Sequence, residues 1–152
     1  MPTEAVYVDT RKSYNAVIEI GGLPKAYVRK HNVPEIEWAV SEHAHGGQQN
    51  TTKTPGKKKI GEITIEKAMP AMEDDTFFQT WFELCGKTPR AQHTKDVEFY
   101  DYDLSESAVR ISGWRAVNAW PSKVTPGDRD AMSESDPVIE TIILQCDDII
   151  RI

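Results

Sequence analysis

The chain has 152 residues, 39% of them hydrophobic and 28% charged, with a formal net charge of −6 at pH 7. That length suits one domain, so a single unit over residues 1–152 is expected, and no run approaches the ~20 apolar residues of a membrane-crossing helix. The acidic balance argues against a sequence-reading nucleic-acid binder, which needs a basic face, yet a mildly negative wall suits a conduit, because it repels a polyanion instead of holding it.

The opening Met1-Pro2-Thr3-Glu4-Ala5 lacks the basic-then-apolar order of a secretory signal, which leads to the expectation of cytoplasmic folding with Cys85 and Cys146 as free thiols. Tyr14 to Ile20 and Ala26 to Arg29, separated by Gly21-Gly22 and a Leu23-Pro24 turn, predict a first hairpin. In Glu35-Ile36-Glu37-Trp38-Ala39-Val40 the alternation places Ile36, Trp38 and Val40 on one face and Glu35 and Glu37 on the other, the pattern of a half-buried strand. Apolar periodicity is then lost from Ser41 to Lys59, a stretch holding Gly46, Gly47, Pro55, Gly56 and the run Lys57, Lys58, Lys59. It reads as a long polar loop, and loops of that length inside compact domains are commonly functional.

Alternation resumes at Ile63-Thr64-Ile65, with Glu62, Thr64 and Glu66 facing away from the core. The period then changes: Asp74 or Asp75 caps a predicted helix whose face carries Phe77, Phe78, Trp81, Phe82 and Leu84, and Gly86 supplies a left-handed stop before Pro89. Further strands are predicted at Val97 to Tyr102, Val109 to Val117 and Val138 to Cys146, the last with apolar residues on both faces and therefore central or covered by a neighbouring subunit. The Trp114 strand is expected to end at Trp120-Pro121, with both tryptophans on one face and Trp120 anchoring the exit. Many strands with one helix and no βαβ alternation give a mainly β, antiparallel sandwich or partial barrel.

Candidate chemistry is sparse. His43, His45, His31 and His93 do not supply the convergent spacing of a metal site, so solvated histidines are the better reading and no metal or cofactor is expected. Gly47 and Gly56 are too far apart for a phosphate loop, and Lys58 follows Lys57 where Ser or Thr is required. The adjacent acids Asp74-Asp75 and Asp147-Asp148 fit a helix cap and a strand end, and neighbours on one strand point to opposite faces. Asn50-Thr51-Thr52 matches a glycosylation acceptor but has no meaning without secretion. No catalytic residues are assigned, and function is sought in assembly.

The stretch Gly113 to Ala131, with the Trp114 strand, Asn118-Ala119-Trp120-Pro121 and Gly127-Asp128-Arg129-Asp130-Ala131, resembles the phage tail tube protein family. Upstream, Gly46-Gly47, then Thr54-Pro55-Gly56 and an acid-capped helix carrying Trp81 extend the likeness from about Asn15 to Ile152. The resemblance implies a sandwich with one flanking helix whose copies form hexameric rings sharing a continuous inner β-barrel, stacked into a hollow tube. Its implied partners are tail sheath, baseplate and terminator proteins, with DNA or other cargo passing without sequence-specific contact. Its implied location is a virion tail or contractile injection particle assembled in the host cytoplasm. Glu35, Glu37, Glu62 and Glu66 are lumen candidates, residues 41–59 the assembly loop, and Trp81, Trp114, Trp120 and Pro121 structural anchors. The alternatives are a ring of a secretion-type device carrying protein effectors and a small ligand-binding β-barrel.

Overall fold

A computed structural model describes residues 10–12, 15–21, 28–47, 49–71, 74–105 and 109–152. The proposed opening Met1–Ala5, Tyr14, the Leu23-Pro24 turn with Ala26 and Tyr27, and the Glu106-Ser107 part of one turn lie outside the described residues. Nine strands and two helices are described: β1 Ala16–Ile20, β2 Val28–His31, β3 Ile36–His43, β4 Thr52–Ile60, β5 Ile63–Ala68, α1 Phe77–Cys85, α2 Arg90–His93, β6 Lys95–Tyr102, β7 Arg110–Thr125, β8 Ile139–Gln145 and β9 Asp148–Arg151. Every described strand pairing is antiparallel.

The main sheet runs β1-β6-β7-β8-β5-β2, with β9 on the far side of the first part of β7; β3 and β4 form a separate two-stranded ribbon. The expected first hairpin is therefore corrected, because β1 pairs with β6 and β2 with β5, at opposite edges of the sheet. Each segment carries a strand pattern that is indifferent to its partner, and the choice falls to long-range cross-strand matches such as Ile18 to Phe99 and His31 to Ile65.

β7 is the strand on which this arrangement turns. Val97 stands opposite Ala116 while Lys95 stands opposite Ala119, so β7 holds one extra residue there, and Asn118 takes the left-handed backbone, φ 54°. Ala116, on one side of the bulge, and Ala119 and Pro121, on the other, are all buried. The extra residue thus moves the inward set from even to odd numbers. Trp114 packs against the core, whereas Trp120 falls on the opposite side, opposite Gln145; the expectation that they share a face fails for this reason. Nor does the strand end at Trp120-Pro121. It continues to Thr125, since a second register shift between Pro121 and Lys123 removes the need for a ladder donor at proline.

The core is drawn from both halves of the bent sheet: Ile18, Ile20, Val97, Phe99 and Ala116 from one, Ile63, Ile65, Ile142 and Leu144 from the other, with Phe78 and Trp81 of α1 between them. β8 is central, between β7 and β5. Only part of the expected helical face is buried, because Phe82 and Leu84 stay exposed while Phe78 and Trp81 point inward and Phe77 packs at the margin. Trp81 Nε1 donates to the His93 carbonyl at 2.6 Å, tying α1 to α2. Asp75 Oδ1 accepts from the Phe77 N–H at 3.2 Å at the helix start. Gly86 has φ −82°, a right-handed conformation, so the expected left-handed stop is corrected; the chain passes through a turn into α2 instead.

Gly127 follows β7 with φ +88°, and a Cβ there would lie 2.0 Å from the Ile139 carbonyl oxygen. Gly127→Ala therefore meets both left-handed strain and a backbone clash, and is expected to cost on the order of 2–4 kcal/mol. Gly46→Ala, with open space around it, is the control and is expected to stay within ~0.5 kcal/mol of the parent. Urea unfolding followed by tryptophan fluorescence compares the two; equal stabilities would contradict the role given to Gly127.

Candidate assembly surfaces

The region read as a loop over residues 41–59 is mostly strand, which corrects that expectation. β3 continues to His43 and β4 returns from Thr52, with Ile36 opposite Ile60, Trp38 opposite Lys58, Val40 opposite Pro55 and His43 opposite Thr52. Among the described residues, 44–47 and 49–51 lie outside the strands at the ribbon tip, where Gly47 takes φ +88°. Pro55, Gly56, Lys57, Lys58 and Lys59 are β4 residues, and the register shift between Trp38 and Val40 absorbs the Pro-Gly pair. Gly56 lies against Ala39, where a Cβ would come within 2.9 Å of the Ala39 carbonyl oxygen. β4 carries no apolar periodicity because it packs on no core face that would require one.

This ribbon is held to the body at its base. Lys58 Nζ donates to Asp148 Oδ1 of β9 at 2.7 Å, and the Gly61 N–H donates to the Glu35 carbonyl at 2.8 Å. Farther out, Lys53 and Glu42 approach to 4.0 Å and Thr54 Oγ1 donates to the Ser41 carbonyl. The apolar side of β3 is uncovered, and exposure rises along it: Ile36 42%, Trp38 56%, Val40 67%. The half-buried strand expected from the alternation is thus a correct period on an exposed element.

The four acids occupy two places. Glu35 and Glu37 lie at the ribbon base, Glu37 opposite Lys59. Glu62 and Glu66 belong to the open side of the β5–β8 half, where Glu62 Oε1 accepts from Gln145 Nε2 at 3.0 Å and Glu66 stands opposite Lys30 and Thr141. Lys123 is opposite Ile143 on β8, so this side carries both signs of charge. The groove bounded by residues 126–138 and the edge at Arg29 and Glu66 has a volume of about 910 Å³.

Alternation put Ile63 and Ile65 inward, and the next inward position is Lys67, fully buried. Its ammonium lies 2.6 Å from Asp75 Oδ2 and 5.2 Å from the centre of the Phe78 ring. Its cross-strand partner is Glu140, also buried. Sequence reasoning missed this cluster; the signal available was a lysine in phase with two isoleucines. Burial pushes the Asp75 carboxyl up, but the Lys67 ammonium and the Phe77 N–H outweigh it, and Asp75 titrates below its ordinary range. Burial, with repulsion from Asp75, raises Glu140 despite the attraction of Lys67. Among the described residues no group of three His, Cys, Asp or Glu could hold a metal ion. His31 stacks on Phe99 at 5.8 Å, and its burial lowers its affinity for a proton against the pull of Asp101. The Cys146 thiol, pushed up to about 11 by burial and then by Asp147 and Asp148, is unreactive near neutral pH.

The geometry defines a class: an antiparallel β-sandwich that presents sheet edges and a projecting ribbon with one apolar side. The model of the T4-like virus tail tube protein gp19 family matches residues 12–150, and the chain belongs to that family. It is a structural subunit of a tail tube. No curated protein matches the chain significantly in sequence. Among solved structures, it is similar to a chain of the sheath-tube complex of PVC, an extracellular contractile injection system, in the extended state, with TM-score 0.74 and 21% identity over 93% of this chain and 90% of that one. It is also similar to a chain of the PVC sheath/tube terminator, with TM-score 0.76 and 22% identity over 97% and 99%. The anti-feeding prophage tube terminating cap gives TM-score 0.77 and 18% identity over 98% and 95%. These three likenesses establish the fold.

The buried cluster makes a pH-resolved prediction. Asp75→Asn strands the Lys67 charge and is expected to cost about 3–5 kcal/mol near neutrality. Because the Asp75 pKa is depressed on folding, its contribution is present above the unfolded carboxylate range and is lost as pH falls through the lowered folded value. Glu140 has the opposite sign: its raised pKa makes stability fall as pH rises from the unfolded value through the folded one. Glu140→Gln is therefore expected to stabilise at pH 7, an advantage that vanishes in acid. Urea midpoints measured from pH 3 to 8 check both directions, and a destabilised Glu140→Gln at pH 7 would contradict the assignment.

Proposed function

We propose that copies of this chain close into hexameric rings through their sheet edges and that the rings stack into a hollow tube, with the β3–β4 ribbon reaching the neighbouring copy. The observation that carries this reading is the ribbon itself. A two-stranded ribbon is marginal alone in water, and one whose apolar exposure increases with distance from the body gains its cover from another molecule. The edges at β1 and β2, unpaired among the described strands, support the same reading, since pairing around a ring removes them.

Contractile-particle architecture supplies the partners: a sheath outside the tube, a baseplate at one end and a terminator at the other. The location that follows is a virion tail or contractile injection particle assembled in the host cytoplasm. The chain acts by shape and not by catalysis. Glu62 and Glu66, on the open side of the β5–β8 half, are the stronger lumen candidates of the four acids, and Glu35 and Glu37 belong with the ribbon base. A hydrated, mixed but acid-bearing wall lets DNA or protein cargo pass without retention.

Electron microscopy of the purified chain tests the assembly: rings or tubes are expected, and a monomer at every concentration and salt would overturn it. The lumen is tested separately. Glu62→Lys with Glu66→Lys is expected to leave tubes intact and reduce delivery of DNA, because a basic wall holds phosphate by counterion release. Intact tubes with unchanged delivery would place those acids elsewhere.

A further inference from the structure

Among the described residues, two exposed apolar surfaces lie on different elements. One is the ribbon stripe Ile36, Trp38 and Val40. The other is the outer side of the β7–β9 pair. There Gly113 exchanges backbone hydrogen bonds with Ile152, and Tyr100 and Ile152 close over it, so that a Cβ on Gly113 would come within 2.8 Å of the first and 2.9 Å of the second. Ile150 stands opposite Arg115 on that same side and is 47% exposed, while its neighbour Ile149 is buried on the core side. Two arginines frame the surface: the Arg110 guanidinium sits 3.5 Å over the Tyr100 ring, and Arg115 is held by Glu98 at 3.1 Å.

We propose that the ribbon stripe of one copy seats on the exposed Ile150–Ile152 face of a second copy, beside the buried Tyr100 ring, a head-to-tail contact between unlike surfaces. The proposal rests on the tube reading and names the receiving surface for it. Alternate residues on a strand are spaced by ~6.6 Å, so the side chains of Trp38 and Val40 match the spacing of Ile150 and Ile152. On β3, Glu42 shares the parity of the stripe and arrives with it, which sets a carboxylate toward the surface framed by Arg110 and Arg115. The Lys58–Asp148 pair fixes the ribbon base beside the start of its own β9, so the most exposed residue, Val40, projects away from the body that carries it. Unlike complementary patches on one molecule propagate in one direction and give rings or filaments, as a tube subunit requires.

The test is a directed cross-link in a chain with Cys85→Ser and Cys146→Ser. Val40→Cys and Ile150→Cys together, oxidised after assembly with copper phenanthroline and dioxygen, are expected to give a ladder of covalent multimers on non-reducing gels. Either cysteine alone is expected to give none. Ile150→Glu, at an exposed position, is expected to leave a folded monomer by circular dichroism and to lower the yield of tubes at least tenfold. A parent chain that forms tubes while the paired cysteines give no ladder, or while Ile150→Glu assembles normally, overturns the docking proposal alone. A parent chain that never assembles overturns the tube reading along with it.

Discussion

One extra residue at Asn118 governs the architecture. It allows a single long strand to pair with β6 and β9 in its first part and with β8 in its second, so both halves of the sheet share a backbone yet face one core. The bulge is held from several sides. The Asn118 N–H donates to Asp96 Oδ1 at 3.2 Å, its side-chain amide donates to Asp147 Oδ2 at 3.1 Å, and the Asp147 N–H returns to the Val117 carbonyl at 2.9 Å. Arg90 of α2 pairs with the same Asp147 carboxylate. Asparagine suits the position because its short amide tolerates a left-handed backbone and satisfies neighbours that the bulge would otherwise leave without partners.

From that bend follows a division of labour between body and ribbon. The body holds the buried aliphatic and aromatic core and a buried charge cluster beneath the start of α1. The ribbon holds almost none of the core and leaves its apolar side open. The residues that stabilise the subunit and those proposed to assemble the tube are therefore different sets, so a change in one need not disturb the other. Lys67 shows the cost of the arrangement: a fully buried ammonium is tolerated because Asp75 meets it at 2.6 Å, and among the described residues neither atom has a further hydrogen-bond partner.

Much of the body was legible in the sequence. The alternation at Ile63 and Ile65, the two-faced apolar run at β8 and the period change at Phe77 each named a real element, because burial imposes a pattern that sequence must carry. What failed was governed by contacts a pattern cannot encode. The hairpin read from Ile20 to Val28 dissolves because strand pairing is a choice between distant partners. Trp114 and Trp120 separate because a one-residue bulge inverts every face beyond it. Residues 52–59 look like a loop because Thr-Lys-Thr-Pro-Gly-Lys-Lys-Lys has no core to face, and β9 escaped notice because Asp147-Asp148 reads as a strand end when Asp148 opens a further strand. Among the candidate sites, polarity alone singles out the lysines, Pro55 and Gly56 for assembly, while the period of the stripe beside them points to a core face.

We assign the β3–β4 ribbon to assembly and not to folding. Replacing residues 39–57 with a short Gly-Ser turn and comparing the parent and shortened chains by sedimentation velocity, circular dichroism and electron microscopy tests this assignment most directly. The shortened chain is expected to keep its β spectrum and cooperative melting but to sediment as a small species and form no long tubes. A shortened chain that builds normal tubes, or one that cannot fold at all, would contradict the assignment.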